Sequence, residues 1–104
     1  MRAESLKGHL DALVLAVLRD EPAHGYAVIE QLKQRSGGAF DLPEGTVYPV
    51  LHRLEAEGLL SSAWSTASGR KRRVYRLTRR GQTSLARQRD DWKSFANAVQ
   101  AVLA

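Results

Sequence analysis

A proline inside an otherwise regular helical repeat constrains this chain more than any other feature. In the stretch from Leu42 to Leu60, LPEGTVYPVLHRLEAEGLL, residues Val47, Val50, Leu51 and Leu54 recur at the spacing of one helix face. Pro43 and Gly58 stand at the ends, where a helix favours those two residues, so the spacing predicts a helix over about 43–57. Thr46, Tyr48, Pro49, His52 and Arg53 fall on the other side. Pro49 has no N–H to give the carbonyl of Gly45, and its ring crowds that carbonyl; Gly45 brings no side chain to the crowding. A polar, partly aromatic face on a helix with a donor-poor first turn and a half suits contact with something other than the core. It reads as a recognition helix.

The charge is as uneven as the hydrophobicity is regular. The net charge is +5, yet Arg70 to Arg80, RKRRVYRLTRR, holds seven basic residues and no acidic one. The remainder carries nine basic residues against eleven acidic ones. One short segment thus supplies all of the positive excess, the electrostatic footprint of a polyanion binder. A generic charge run is usually a solvated surface, but Val74, Tyr75 and Leu77 interrupt this one with strand-forming residues.

Length and composition set the other bounds. At 104 residues one domain is expected, with a core modest enough that dimerisation would complete it. The chain has no cysteine, so disulfides and thiolate metal sites are excluded and a reducing cytoplasm fits. The apolar run Ala12 to Leu18 is bracketed by Asp11 and Arg19 and is too short to span a bilayer; no membrane partner is expected. His9, His24 and His52 lie in three separate elements without the spacing of a metal-binding motif. Ser68-Gly69 lacks the context of a nucleophile elbow, and no Gly-rich phosphate loop follows a strand. No enzyme activity, metal or cofactor is expected.

Taken in order, His9 to Arg19 carries Leu10, Leu13, Val14, Val17 and Leu18 at helical spacing and stops at Asp20-Glu21-Pro22. Ala12 and Leu15 widen its apolar surface. Either the helix touches both its own core and a partner chain, or it is simply well buried. A second helix spans about His24 to Arg35, with Val28, Ile29 and Leu32 inward and Gly37-Gly38 at its end. His24-Gly25-Tyr26 opens it at a helix N-terminus, a place suited to phosphate. Tyr26 is read as a core residue first and as a DNA contact second. Leu59 to Thr66 and Arg72 to Leu77 alternate like strands around the polar tip Thr66 to Lys71. Two helices followed by a basic-tipped hairpin make a winged helix-turn-helix, expected over residues 1–78, with a wing over about 59–77. From Thr78 onward Leu85, Trp92 and Val99 repeat every seven residues, with Phe95 and Val102 at the same interval beside them. This is the spacing of helices packed along each other, so a long C-terminal helix over 79–104 is expected to pair two copies, to fold back over its own first helix, or both. The expected fold class is mainly α with a small β-hairpin.

The run GTVYPVLHRLEAEGLL, the ending RVYRLT-x-x-G of the wing (Arg73 to Gly81) and the HGY at the second helix together resemble the PadR family of bacterial transcriptional regulators. The likeness covers nearly the whole chain, and its length is similar to the shorter subfamily with a single C-terminal helix. The resemblance implies a homodimer, mostly repressors in this family, that leaves a palindromic double-stranded operator when a small molecule binds or the dimer rearranges. It implies DNA contacts at Tyr26, Thr46, Tyr48 and Pro49, and at the basic wing Gly69, Arg70, Lys71, Arg72 and Arg73. His52 joins them by its position. Arg53 has three open roles: positioning the helix, reading a base edge, or an ion pair with Glu57 one turn on.

Trp92 lies where multidrug-responsive members of the family place an aromatic that sandwiches flat compounds between subunits. The resemblance therefore implies a small hydrophobic or aromatic effector, with Ala12 and Leu15 as facing walls; Ala96, one turn on, offers no charge to a cation. Leu85, Trp92, Phe95, Val99 and Val102 are the expected dimer contacts. Tyr48→Ala is expected to weaken operator binding and leave thermal stability nearly intact. The competing reading is a winged-helix module that binds protein or RNA without operator specificity.

Overall fold

The computed structural model describes Leu6 and residues 8–67 and 69–104; Ser68, expected in the wing tip, lies outside them, as do residues 1–5 and 7 of the expected DNA-binding domain. Helix α1 runs over Leu10–Asp20, α2 over Gly25–Arg35, α3 over Glu44–Ala56 and α4 over Arg79–Leu103. Strand β1 is Ala23–His24, β2 is Leu60–Ser65 and β3 is Arg72–Leu77. The fold is mainly helical with a small antiparallel sheet of order β1-β3-β2, the winged-helix architecture the sequence implies.

The helices form where their end signals and apolar faces agree. In α2 the His24 Nδ1 accepts the Ala27 N–H at 3.2 Å and so caps the first turn. In α3 the Pro43 carbonyl takes the N–H groups of Thr46 and Val47, and Val47, Leu51 and Leu54 are fully buried while Val50 is half-buried. Pro49 sits exposed inside that helix. A Cβ placed on Gly45 would meet nothing within 4 Å, so the missing side chain there is not what accommodates the proline. Gly58 ends α3 at φ 79, and the chain turns back so that Leu59 N–H reaches the Leu54 carbonyl at 2.9 Å. Arg80 reaches this same end: a Cβ on Gly58 would lie 2.8 Å from its guanidinium. A cation set near the first turn of α4 thus meets the negative end of α3's dipole.

Strand β1 has no counterpart in the sequence reading. It pairs Ala23 with Tyr75 and His24 with Val74, and it exists because β3 supplies the ladder that two residues cannot make alone. The β2–β3 register sets Leu60 opposite Leu77, Ser62 opposite Tyr75 and Trp64 opposite Arg73, all on one face. Leu60 and Tyr75 carry that face into the core beside Val14, Leu18, Val28 and Leu51.

Helix α4 begins with Thr78, whose hydroxyl accepts from Gly81 N–H at 3.0 Å and donates to the Gly58 carbonyl at 2.7 Å. The helix passes over the core once and then leaves it. Leu85 is only 3% exposed, whereas Phe95, Val102 and Leu103 stand in solvent. The expectation that Leu85 belongs to a dimer seam is therefore corrected: at the start of α4 the chain's own core fills that position. The fold-back over α1 is present too. His9, just before α1, sets its ring edge-on to Trp92 with centroids 5.1 Å apart. Among the described residues, no helix is long and apolar enough to cross a membrane.

Candidate nucleic-acid interface

Helices α2 and α3 form the helix-turn-helix, and the hairpin of β2 and β3 stands beside α3 as the wing. Between them lies a cleft of about 730 Å³. Tyr26 and Gly25 reach it from α2, Tyr48 and His52 from α3, and Trp64, Arg70, Lys71, Arg72 and Arg73 from the wing. Seven of the residues expected to meet DNA are thus brought into one cavity, from three elements far apart in sequence. Pro49 is exposed and Thr46 half-buried on α3 outside this lining, and Gly69 turns the wing tip at φ 77.

Tyr26 is 55% exposed, which corrects the reading of it as core. It stands two residues before Val28 on α2, and two residues is about 200° of helix, so the buried face turns away from it. Tyr48 is corrected in the other direction. It is half-buried, packed against the edge of the core, with its ring 6.3 Å from His52 in an edge-on contact. Truncating it would remove packing as well as a polar contact, so Tyr48→Ala is not the stability-neutral test it appears from sequence.

Arg53 takes the third of its open roles and adds a partner. Its guanidinium holds the Asp11 carboxylate of α1 with two hydrogen bonds, at 2.5 and 3.1 Å, and Glu57 at 3.1 Å. These carboxylates, Asp11 first, raise its already high pKa further. On the other flank of α3, Glu55 accepts from the Ser62 hydroxyl at 2.5 Å and lies 3.7 Å from Arg73. Acidic residues therefore brace α3 against α1 on one side and against the wing on the other.

His24 sits at the back of the cleft under two demands. Its Nδ1 accepts the capping N–H of Ala27, while its Nε2 lies 2.5 Å from the guanidinium of Arg72. A neutral imidazole has one acceptor nitrogen, so it satisfies one of these donors at a time. Burial, and next the charge of Arg72, hold its pKa below the ordinary value. At the floor, burial and then the nearby Glu55 push the Tyr75 hydroxyl up, so it stays protonated.

Trp64 is the residue that sequence reasoning missed. It is 58% exposed and lines the cleft, with Lys71 Nζ 4.9 Å and the Arg73 guanidinium carbon 5.4 Å from its ring. The signal was present: alternation from Leu60 through Ser62 reaches Trp64 on the core-side face, beyond the point where the core ends.

The residues expected to bind an effector do not come together within one chain. Trp92 is half exposed on α4 and Ala12 half-buried on α1, but Leu15 is wholly buried. Leu15 is therefore corrected from cavity wall to core: it lies beside Val14, on the side of α1 turned to its own domain.

Comparison with known proteins agrees with this architecture. The model of the transcriptional regulator PadR-like family matches residues 14–87. The chain is similar to the transcriptional regulator Rv3488 of Mycobacterium tuberculosis, at 39% identity over 80 residues that cover 77% of this chain and 72% of that protein. Among solved structures it resembles a PadR family transcriptional regulator from Eggerthella lenta, at 35% identity and a TM-score of 0.84, covering 96% of this chain and 86% of that one. A PadR family regulator from Clostridium difficile matches at 30% identity and a TM-score of 0.83, over 92% and 99% of the two chains.

Proposed function

From the premise that this chain belongs to the PadR-like family of transcriptional regulators, DNA-binding regulators of winged-helix fold, we propose that it is a homodimeric repressor of a palindromic operator. One observation carries this reading: the cations of the wing and the outward residues of α2 and α3 share a single cleft. Two copies would pair through residues 79–104, with Trp92, Phe95, Val99 and Val102 as the contacts. Their α3 helices would enter successive major grooves about 34 Å apart. Arg70 to Arg73 neutralise phosphates and supply most of the affinity. Tyr26, Thr46, Tyr48, Pro49 and His52 set the position of α3 or meet base edges. Arg53 supports α3 through Asp11 rather than meeting the duplex. With few side chains left to read bases, DNA shape supplies part of the specificity.

Release would come from a small hydrophobic or aromatic compound lodged between subunits against Trp92 and Ala12. A second reading, a single-strand or RNA-binding module, is favoured by one observation: Tyr26, Tyr48 and Trp64 all line the basic cleft, and aromatics beside cations suit unstacked bases.

The test is binding to duplex DNA from the protein's own upstream region, titrated with salt and with scrambled duplex and single-stranded competitors. Tight binding of two subunits per palindrome that survives both competitors is the expected result. Equal loss from specific and scrambled duplex as salt rises would overturn the operator reading, and preference for the single strand would establish the second.

A further inference from the structure

Trp64 has no place in the core of its own domain. Its indole is exposed on the wing, past the last core residue of its face, and among the described residues it is not one of those packed on the core. Its aromatic partners across the strand are cations. Arg73 stands directly opposite, and Lys71, two residues before it and just outside β3, brings its Nζ to 4.9 Å from the ring centroid. The face also turns toward α3, because Ser62, one pair nearer the core, hydrogen-bonds Glu55. Both cations lie close to the ring, at 4.9 and 5.4 Å from its centroid, so a polyanionic strand that meets both is brought up against the indole. Between two successive phosphates a DNA strand presents a deoxyribose, whose carbon face is apolar. Resting on the DNA-binding reading above, we infer that Trp64 is a DNA-contact residue: its indole packs against the deoxyribose between two phosphates held by Lys71 and Arg73. The wing thereby gains a contact that depends on groove and strand geometry rather than on charge. The plainer role, a platform that only holds two cations in place, makes a different prediction about salt.

The experiment uses the full-length protein and a duplex that the wild type has selected from a random-sequence pool. Dissociation constants are measured across a range of salt for wild type, W64A, W64F and K71A, with tryptophan emission followed in the same titrations. An apolar contact releases no counterions. W64A should therefore lose at least about 5-fold in affinity, the low end of what one aromatic side chain contributes when it stacks on a base, at every salt concentration and with an unchanged slope. K71A should instead lower the magnitude of the slope by about two, one contact from each subunit. Emission should change on duplex binding in wild type and not in W64F, which retains the Trp92 signal, and W64F should recover part of the lost affinity. Thermal melts of W64A and W64F establish that the wing is folded, and if W64A does not fold, W64F and the emission difference decide. Unchanged affinity in W64A overturns the inference. So does a loss accompanied by a slope reduced by about two to four, one or both cations lost from each subunit, which would make Trp64 a platform for its cations. A wild type that selects no duplex overturns the DNA-binding reading, and the assignment of Trp64 with it.

Discussion

Gly25→Ala isolates the geometry of the recognition helix from the stability of the fold. Gly25 is the first residue of α2, its φ is not positive, and an alanine adopts its backbone without strain. The new Cβ, however, would sit 2.6 Å from Cε1 and Cζ of Tyr48 and 2.8 Å from its hydroxyl. Carbon atoms in ordinary contact stay about 3.5–4.0 Å apart, so the ring must retreat by about 1 Å. It has room to do so only outward, into the cleft, because its inner side rests on the core. Moving off its rotamer costs the fold about 0.5–1.5 kcal/mol, partly offset by the helix preference of alanine over glycine, at most about 1 kcal/mol. The melting temperature should therefore move by only a few degrees. A hydroxyl displaced by about 1 Å no longer makes a hydrogen bond of normal length. Losing one such DNA contact costs about 1–3 kcal/mol, about 5- to 150-fold for each half-site, so the dimer's Kd should rise by at least that factor. Fluorescence anisotropy with a labelled operator duplex at fixed salt, beside thermal melts, reads both quantities. Adding Tyr48→Phe closes a double-mutant cycle, and the two losses should fall well short of additive because both act through the same hydroxyl. Wild-type affinity in Gly25→Ala, or full additivity with Tyr48→Phe, would refute the assignment of Tyr48 to the interface.

Three further substitutions probe other joints. Gly81→Ala would put a Cβ 2.2 Å from the Leu59 carbonyl oxygen and 2.5 Å from Leu77 Cδ1; prising α4 off the wing should cost at least about 2 kcal/mol, and a urea midpoint close to wild type would contradict it. Arg53→Ala removes an exposed bracing charge, so stability should fall by no more than about 1 kcal/mol and the salt slope of DNA binding should not change; a slope reduced by about two would make Arg53 a phosphate contact in each subunit. His24 has a folded pKa below its ordinary 6.5, which means the unfolded chain takes up the proton first. Its contribution is complete above pH 6.5 and is lost as pH falls through the lowered folded value. The melting temperature of wild type should thus drop relative to His24→Asn, which keeps a capping acceptor and cannot titrate; parallel curves would show that His24 is not the group.

What sequence reading reached, and what it did not, divides along local and non-local physics. The ends of α3 were legible because Pro43 and Gly58 act within one turn, and Gly58 does adopt the left-handed φ its position called for. The wing strands were legible from alternation, to within a residue at each end. Strand β1 was not, since two residues carry no period and their pairing depends on β3, about 50 residues away in the chain. Leu85 and Trp92 share a seven-residue spacing, which tells that they lie on one face of α4. It does not tell that the chain's own core covers one and leaves the other in solvent. Arg53 shows the same limit: its pairing with Glu57 follows from helix spacing, but its stronger hold on Asp11 spans 42 positions. Tyr26 is a different case, because the helical period alone placed it opposite Val28, and a general preference for buried aromatics outweighed that geometry.

The basic segment marks where counting charges in sequence parts from their use in the fold. Seven cations between Arg70 and Arg80 would, if all met phosphates in a dimer, give a salt slope near −13 at about 0.9 per contact. The fold divides them. Arg70 to Arg73 line the cleft. Arg76 lies on the opposite face of β3 from Arg73, and Arg80 is drawn to the end of α3 at Gly58. Four cations per chain in the cleft give a slope nearer −7 for two subunits. Arg73, already 3.7 Å from Glu55, exchanges one anionic partner for another and should contribute less than a full counterion, which makes −7 an upper bound in magnitude. Measuring log Kd against log salt for the specific duplex distinguishes the two values. Arg76→Ala sharpens the measurement: the slope should stay where it is, whereas Arg70→Ala should lower its magnitude by about two, one contact from each subunit. A wild-type slope near −13, or an Arg76→Ala protein that loses as much as Arg70→Ala, would mean that the duplex wraps beyond the cleft and that the wing presents both of its faces to DNA.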